Sequence, residues 1–439
     1  MTVARVAQLA LLVGAAVAVA GCGRNCVPPR LAQSKTLIDL SQPPDAHAPV
    51  PRGVERGLAE ELRNRDGNPH PPGARPYTFL AMSGGGFYAP FAAGVLAAWT
   101  ETGTRPQFDV VTGISTGALM ATFAFLGPEY DGMLVEKFVG IERRSVIGRR
   151  ALAALPFAPS FYHSRRFARA IEDLNTPEMM TAVARAHAEG RRLYVGTTNL
   201  DTRSLVIWDM GAIASRGTRE AADLYRDVIL ASSSVPGVLP PVRIKVEIDG
   251  KCYEEMHADG GVSDTVMFRP FMVGDLNRAR GVPGHRAPPG SAAYLVNNGK
   301  LYTEAKCVRP LIWPQLSASY KSLLYGKSRD EMHRIYLICL EAGIDYRLTA
   351  IPQDMVISTD VMNVPLEDQY RLFEAGRAIG AGAAVVGPGW RDHPPGYGPA
   401  EQVLPRAGTR FVTRPGPGGP CEPAPDLPGM PFEGLSESR

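Results

Sequence analysis

A layered α/β domain is what this chain predicts, and three observations predict it. From Tyr77 to Trp390, short apolar runs alternate with longer Ala- and Leu-rich stretches. Several of those runs end in a glycine cluster that leads at once into helix-forming sequence. At 439 residues, 45% hydrophobic and 21% charged, the chain can also bury a large core.

Taken in order, residues 77–82 read as a buried strand, followed by glycines and a helix over 87–100. A second strand over 108–112 leads to a helix over 116–126. Strands follow at 193–198 and 205–208, then a helix at 219–231. Residues 242–248 and 252–256 flank Asp249-Gly250, a pair that tolerates positive φ and so predicts a tight hairpin. Residues 294–297 and 335–340 read as further strands, and a closing helix spans 366–384.

Sequence outside this region is of another kind. Arg5 and an apolar run over 6–20 make a targeting segment, too short and Ala-rich for a membrane span. It ends in Val19-Ala20-Gly21-Cys22, which resembles the lipobox of bacterial lipoproteins. The resemblance implies cleavage after residue 21 and a lipid on Cys22. Gly23 is not the Asp that retains such proteins at the inner membrane, so the implied place is the cell envelope, at the outer membrane. The alternative is an ordinary secretory signal with an incidental cysteine. Residues 22–76 and 391–439, rich in Pro and Gly, read as a tether and a tail around a domain at 77–390. With Cys22 modified, five cysteines remain, and Cys339 lies in an apolar run. Cys252 with Cys307 and Cys26 with Cys421 is the expected pairing, which spacing does not fix. A net charge of +3 from 47 basic and 44 acidic residues gives no case for nucleic acid as a partner.

Chemistry concentrates in three motifs. Gly113-Ile114-Ser115-Thr116-Gly117 stands between a predicted strand and a predicted helix, the setting of a nucleophile elbow. Glycines two residues either side let backbones approach while the Ser115 hydroxyl projects, and the helix N-terminus favours a developing anion. A plain serine N-cap is the alternative for the bare motif. Met82-Ser83-Gly84-Gly85-Gly86 presents consecutive main-chain amides, suited to an oxyanion hole. Neither the Lys of a P-loop nor a dinucleotide fingerprint accompanies it. Ala258-Asp259-Gly260-Gly261 puts a carboxylate on a tight turn.

In this order the three motifs resemble the patatin-like phospholipase family. So does the segment 231–241, Ala-Ser-Ser-Ser-Val-Pro-Gly-Val-Leu-Pro-Pro. The resemblance covers residues 77–261 and weakens beyond. It implies a three-layer α/β/α fold with a mainly parallel sheet. It also implies lipid ester hydrolysis by a Ser115 nucleophile and an Asp259 base, with Gly84, Gly85 and Gly86 as oxyanion donors and no cofactor or metal. One feature departs from the family pattern: Phe87-Tyr88-Ala89-Pro90 stands where members carry a basic residue and Gly. This loosens any expected preference for a phosphate headgroup.

Two rival readings stay open. A Ser-His-Asp esterase would need His257, His285, His333 or His393 at Ser115. A non-catalytic lipid-binding envelope protein would keep the fold without the chemistry. Residues 147–167, with Arg149, Arg150, Phe161, Tyr162, Arg165 and Arg166, are either a basic-aromatic membrane contact or a solvated segment with core aromatics.

Overall fold

The computed structural model describes residue 26 and residues 37–38, 74–151, 158–248, 250–282, 284–302, 308–382 and 389–395. Residues 1–21, Cys22, Cys307, Cys421 and the tail from 396 onward lie outside the described residues. So the expectations of a signal segment, a lipid anchor and both cysteine pairings fall outside them too.

Among the described residues one ten-stranded sheet runs through the centre. Its strands are β1 (Leu37–Ile38), β2 (Thr78–Met82), β3 (Val110–Ile114), β6 (Arg192–Asn199), β7 (Ser204–Asp209), β8 (Val242–Ile248), β9 (Lys251–Asp259), β10 (Ala292–Asn297), β11 (Asp345–Ala350) and β12 (Trp390–Arg391). A separate two-stranded ribbon pairs β4 (Gly148–Arg149) with β5 (Tyr162–His163). Along the main sheet the order is β1-β7-β6-β3-β2-β10-β11-β12, with β9 joining β6 and carrying β8. Neighbours from β6 to β11 are parallel, as are β1 and β7, while β7 and β9 run antiparallel to β6 and β12 to β11. The fold is thus a mixed, mainly parallel α/β sheet flanked by helices. Arg391 belongs to β12, which pairs with β11.

Both faces of the sheet are covered, which is why its central strands read as continuous apolar runs rather than alternating ones. Along β2, Leu80 and Met82 enter one core while Phe79 and Ala81 enter the other. On the first face pack α1 (Ala89–Glu101), α2 (Thr116–Leu126), α3 (Asp131–Phe138), α4 (Pro177–Ala188), α5 (Arg219–Ser232) and α6 (Leu366–Ala381). On the second lie α7 (Pro270–Ala279) and the 31-residue α8 (Ile312–Ala342). No helix of the described residues is long and apolar enough to cross a membrane.

Helices α1 and α6 meet backbone to backbone. A Cβ on Gly94 would stand 2.1 Å from the Phe373 carbonyl oxygen, and one on Gly376 or Gly380 would stand 2.1 Å or 2.2 Å from those of Phe91 and Val95. Only glycine permits this approach.

One predicted strand is corrected. Residues 335–340 are the last turns of α8, not a strand. Ile335, Ile338, Cys339 and Ala342 are buried at helical spacing while Leu337 and Leu340 face out, and a six-residue apolar run does not separate the two conformations. The helix ends at Gly343, left-handed at φ 69°, and the strand follows as β11. Elsewhere the predicted elements match within a few residues. The hairpin of β8 and β9 closes with Ile248 opposite Lys251 and Gly250 at φ 71°.

Candidate active site

Strand register brings the three motifs together. Met82, the last residue of β2, lies opposite Gly113 of β3, so the glycine run and the serine turn leave adjacent strand ends. Ile114 lies opposite Gly196 of β6, and the next β6 residue, Thr197, pairs with Asp259 at the end of β9. Ser115 and Asp259 therefore face each other across the end of β6. This is the carboxyl edge of the parallel strands, where open α/β sheets bind ligands.

Ser115 has φ 53° and ψ −122°. Among the described residues only Arg203 shares a positive φ without being glycine. Such a conformation persists only where surroundings enforce it, and several contacts do so. The Ser115 amide donates to Ser232 Oγ at 3.0 Å, whose own hydroxyl donates to the Gly196 carbonyl at 2.7 Å. Ser233 Oγ donates to the Ser115 carbonyl at 3.2 Å. The flanking glycines are required by space: a Cβ at Gly113 would lie 2.5 Å from the Gly117 carbonyl, and one at Gly117 would lie 2.3 Å from that of Met82.

The Ser115 hydroxyl donates to Asp259 Oδ2 at 2.6 Å. The other carboxylate oxygen accepts from the Gly261 amide at 2.7 Å, and the Asp259 amide donates to the Ser234 carbonyl at 2.9 Å. Gly260 lets this turn close, since a Cβ there would sit 2.4 Å from the Gly196 carbonyl. Asp259 is buried, and burial raises its pKa from 3.8 to about 6, against the lowering effect of the Ser115 and Gly261 hydrogen bonds. Its basicity is thus better matched to neutral-pH chemistry than an exposed carboxylate's.

The glycine run narrows the candidate donors. The Gly84 amide is already committed to the Thr265 carbonyl at 3.1 Å, so it is not open to a substrate oxygen. Among the described residues no main-chain acceptor outside its own turn takes the amide of Gly85 or Gly86. Gly84 still serves by its size, because a Cβ there would lie 3.0 Å from Ser115 Cβ. Asn298 secures the loop, its amide donating to Ser83 Oγ at 2.8 Å and its side chain to the Ser83 carbonyl at 3.1 Å. Phe87 and Tyr88 fill the family's basic position differently: the Phe87 amide donates to the Val361 carbonyl at 2.8 Å and the Tyr88 hydroxyl to the Ser358 carbonyl. Main-chain contact with residues 358–361 holds the turn where a cation is absent.

Behind the loop stands Glu331 of α8. Its Oε2 accepts from the Thr265 amide at 2.6 Å, the Thr265 hydroxyl at 2.8 Å and the Val266 amide at 3.2 Å. Burial, and then the neighbouring Asp264, raise its pKa to about 7. Sequence reading missed Glu331 and Asn298, which lie far along the chain from every motif, and Thr265, which stands four residues past Gly261. Ser232, Ser233 and Ser234 stood inside the family-like segment, but no role was read for them.

Among the described residues no histidine hydrogen-bonds to Ser115 or Asp259. His257 is buried against Trp208, with Nδ1 paired to Thr197 Oγ1 at 2.9 Å and Nε2 to Glu255 Oε2 at 3.2 Å. His333 pairs with the Arg329 carbonyl of its own helix, and His393 with Asp392. No cluster of His, Cys, Asp and Glu able to hold a metal ion occurs among the described residues. In the basic-aromatic segment Phe161 is exposed, while Arg143 lies over the half-buried ring of Tyr162.

No curated protein matches the chain. Among solved structures it is similar to VipD from Legionella pneumophila, with 12% identity over 69% of this chain and 66% of that one and a TM-score of 0.31. It is also similar to the type III effector protein ExoU, with 14% identity over 70% and 53% of the two chains and a TM-score of 0.22. The chain thus spans less than two thirds of either protein. Residues 80–272, which hold all three motifs, match the family model described as patatin-like phospholipase. Over this segment, 193 of the 439 residues, the chain is similar to the patatin-like phospholipase family.

Proposed function

We propose that the chain is a serine lipid acyl hydrolase that cleaves carboxylic esters through Ser115 and Asp259. The 2.6 Å hydrogen bond between these two side chains, at a strand-to-helix turn beside open glycine amides, carries the reading. In the proposed cycle Ser115 Oγ attacks the ester carbonyl carbon and its proton passes to Asp259 Oδ2. The carbonyl oxygen, now anionic, is held by the Gly85 and Gly86 amides. Collapse expels the alcohol, which takes the proton from Asp259, and leaves an acyl-enzyme. Asp259 then accepts a proton from water as the water attacks the acyl carbon, and returns it to Ser115 Oγ as the acyl-oxygen bond breaks and the fatty acid leaves. No cofactor enters this cycle. With main-chain contacts in place of a basic side chain after the glycines, the enzyme accepts neutral esters and discriminates little between headgroups.

Cys22 carries a lipid anchor in this proposal and holds the enzyme at the cell envelope, against lipid substrate. Incorporation of labelled fatty acid, lost on Cys22→Ser, tests the anchor. A fluorophosphonate probe tests the chemistry. Labelling of the folded chain that disappears in Ser115→Ala, with fatty acid released from phospholipid, lysophospholipid or monoacylglycerol, supports the hydrolase. A folded chain that takes no label and releases no acid from any of them overturns it.

A further inference from the structure

Helix α8 is two different helices in one. Its second half is anchored by Met332, Ile335, Ile338 and Cys339 in the core, but between Leu311 and Leu324 no described side chain is buried. Yet this first half is apolar along one stripe. Ile312, Leu316, Tyr320 and Leu323 recur at helical spacing within about 80° of one another. Ile312, Leu316 and Leu323 are 74%, 55% and 73% exposed, with Leu311 exposed just before the helix. An uncovered apolar face of this kind marks a surface that meets something else.

Charge and position say what it meets. From Val308 to Arg329 the sequence carries Arg309, Lys321, Lys327 and Arg329 and no Asp or Glu. Arg309 and Lys321 are exposed. A second copy of the chain would bring these cations against one another, whereas an anionic lipid surface complements them. The stripe also adjoins the candidate active site. Tyr320 lies within electrostatic reach of Asp259, whose charge, after burial, raises the phenol's pKa. Lys321 Nζ donates to the Thr359 carbonyl at 3.3 Å, two residues from Val361, whose carbonyl holds the turn after the glycine run.

We propose that the first half of α8 is a docking element that lays its Leu311, Ile312, Leu316 and Leu323 face into a negatively charged phospholipid bilayer. The juxtaposition of an exposed apolar stripe, exposed cations and, through Lys321 and Thr359, the segment that holds the glycine turn supports it. The benefit of such docking rests on the hydrolase reading, since it would present lipid at Ser115; the docking itself does not need catalysis.

Hydroxyl-radical footprinting of the full chain carrying Ser115→Ala tests it, because that variant binds without turning over. On phosphatidylglycerol vesicles, labelling of Leu311, Ile312, Leu316 and Leu323 should fall at least fivefold. Leu337 and Leu340, exposed in the second half of the helix, should label as before. Neutral phosphatidylcholine vesicles, or the pair Arg309→Glu and Lys321→Glu on anionic vesicles, should leave the stripe labelled. Vesicle-bound chain with the stripe still labelled overturns the proposal, as does equal protection on both lipids. Protection that appears without lipid as protein concentration rises also overturns it, in favour of self-association. Failure of wild-type chain to release fatty acid would count against the hydrolase reading and leave this result standing.

Discussion

Glu331 and Thr265 are joined through both the amide and the hydroxyl of Thr265, at 2.6 Å and 2.8 Å, and the Thr265 carbonyl in turn takes the amide of Gly84. A carboxylate on a distant helix thereby sets the position of the glycine turn. Glu331→Ala removes the acceptor for three donors, and an unsatisfied buried donor costs roughly 1–3 kcal/mol. The variant should therefore melt earlier and turn over at least tenfold more slowly, whereas Glu331→Gln, which keeps one acceptor oxygen, should recover part of both. Thermal melts alongside kcat on a soluble nitrophenyl ester check this. Unchanged kcat in a destabilised Ala variant would confine Glu331 to stability.

Asp259→Asn should keep the fold and lose the base. A positioned general base contributes about 10² to 10⁴ in rate. Steady-state hydrolysis should fall within that span, with circular dichroism unchanged. His257→Gln should leave kcat within a few-fold, because its two ring nitrogens are spent on Thr197 and Glu255.

The raised pKa of Asp259 fixes the sign of two pH effects. Activity needs the ionised carboxylate, so kcat/KM should rise with pH through about 6. Stability runs the other way. Between its ordinary value of 3.8 and about 6 the folded chain binds the Asp259 proton more tightly than the unfolded chain does. The contribution is complete below 3.8 and is lost as pH rises through about 6. A shift of this size corresponds to roughly 3 kcal/mol. Asp259→Asn should therefore be more stable than wild type in denaturant at pH 8, with the difference closing toward pH 4. No gain at pH 8 would remove the burial argument.

Gly85→Ala should be the most damaging single methyl in the glycine run. Its Cβ would lie 2.2 Å from the Asn298 carbonyl oxygen, so the turn must move. Loss of one oxyanion donor costs about 10² to 10³ in kcat. Hydrolysis should fall by at least that much, and fluorophosphonate labelling of Ser115 should slow with it. Labelling at the wild-type rate would place the oxyanion elsewhere.

Much of this site was legible in the sequence, because its parts are local. A glycine two residues either side of Ser115, three in a row after Met82 and two after Asp259 each report a tight turn at a strand end, and turn chemistry is written in adjacent residues. What was not legible is what holds the turns. Ser232 binds the Ser115 amide across 117 residues, and Glu331 reaches Thr265 across 66. Spacing says nothing about such contacts. The same limit explains residues 335–340, where an apolar run fits strand and helix equally until the core decides which side chains it takes. It also explains Gly84, a natural amide donor by position, whose proton is taken by a carbonyl 181 residues downstream.

The glycine seam between α1 and α6 gives the domain an order of assembly. The turn that holds Gly85 and Gly86 runs directly into α1, and α1 is seated on the last long helix of the domain. During translation every motif residue is in place long before residue 381 is made, yet the partner that seats α1 does not exist. A clip or premature stop ahead of α6 should therefore leave α1, and the Gly85 and Gly86 turn that leads into it, without that seat.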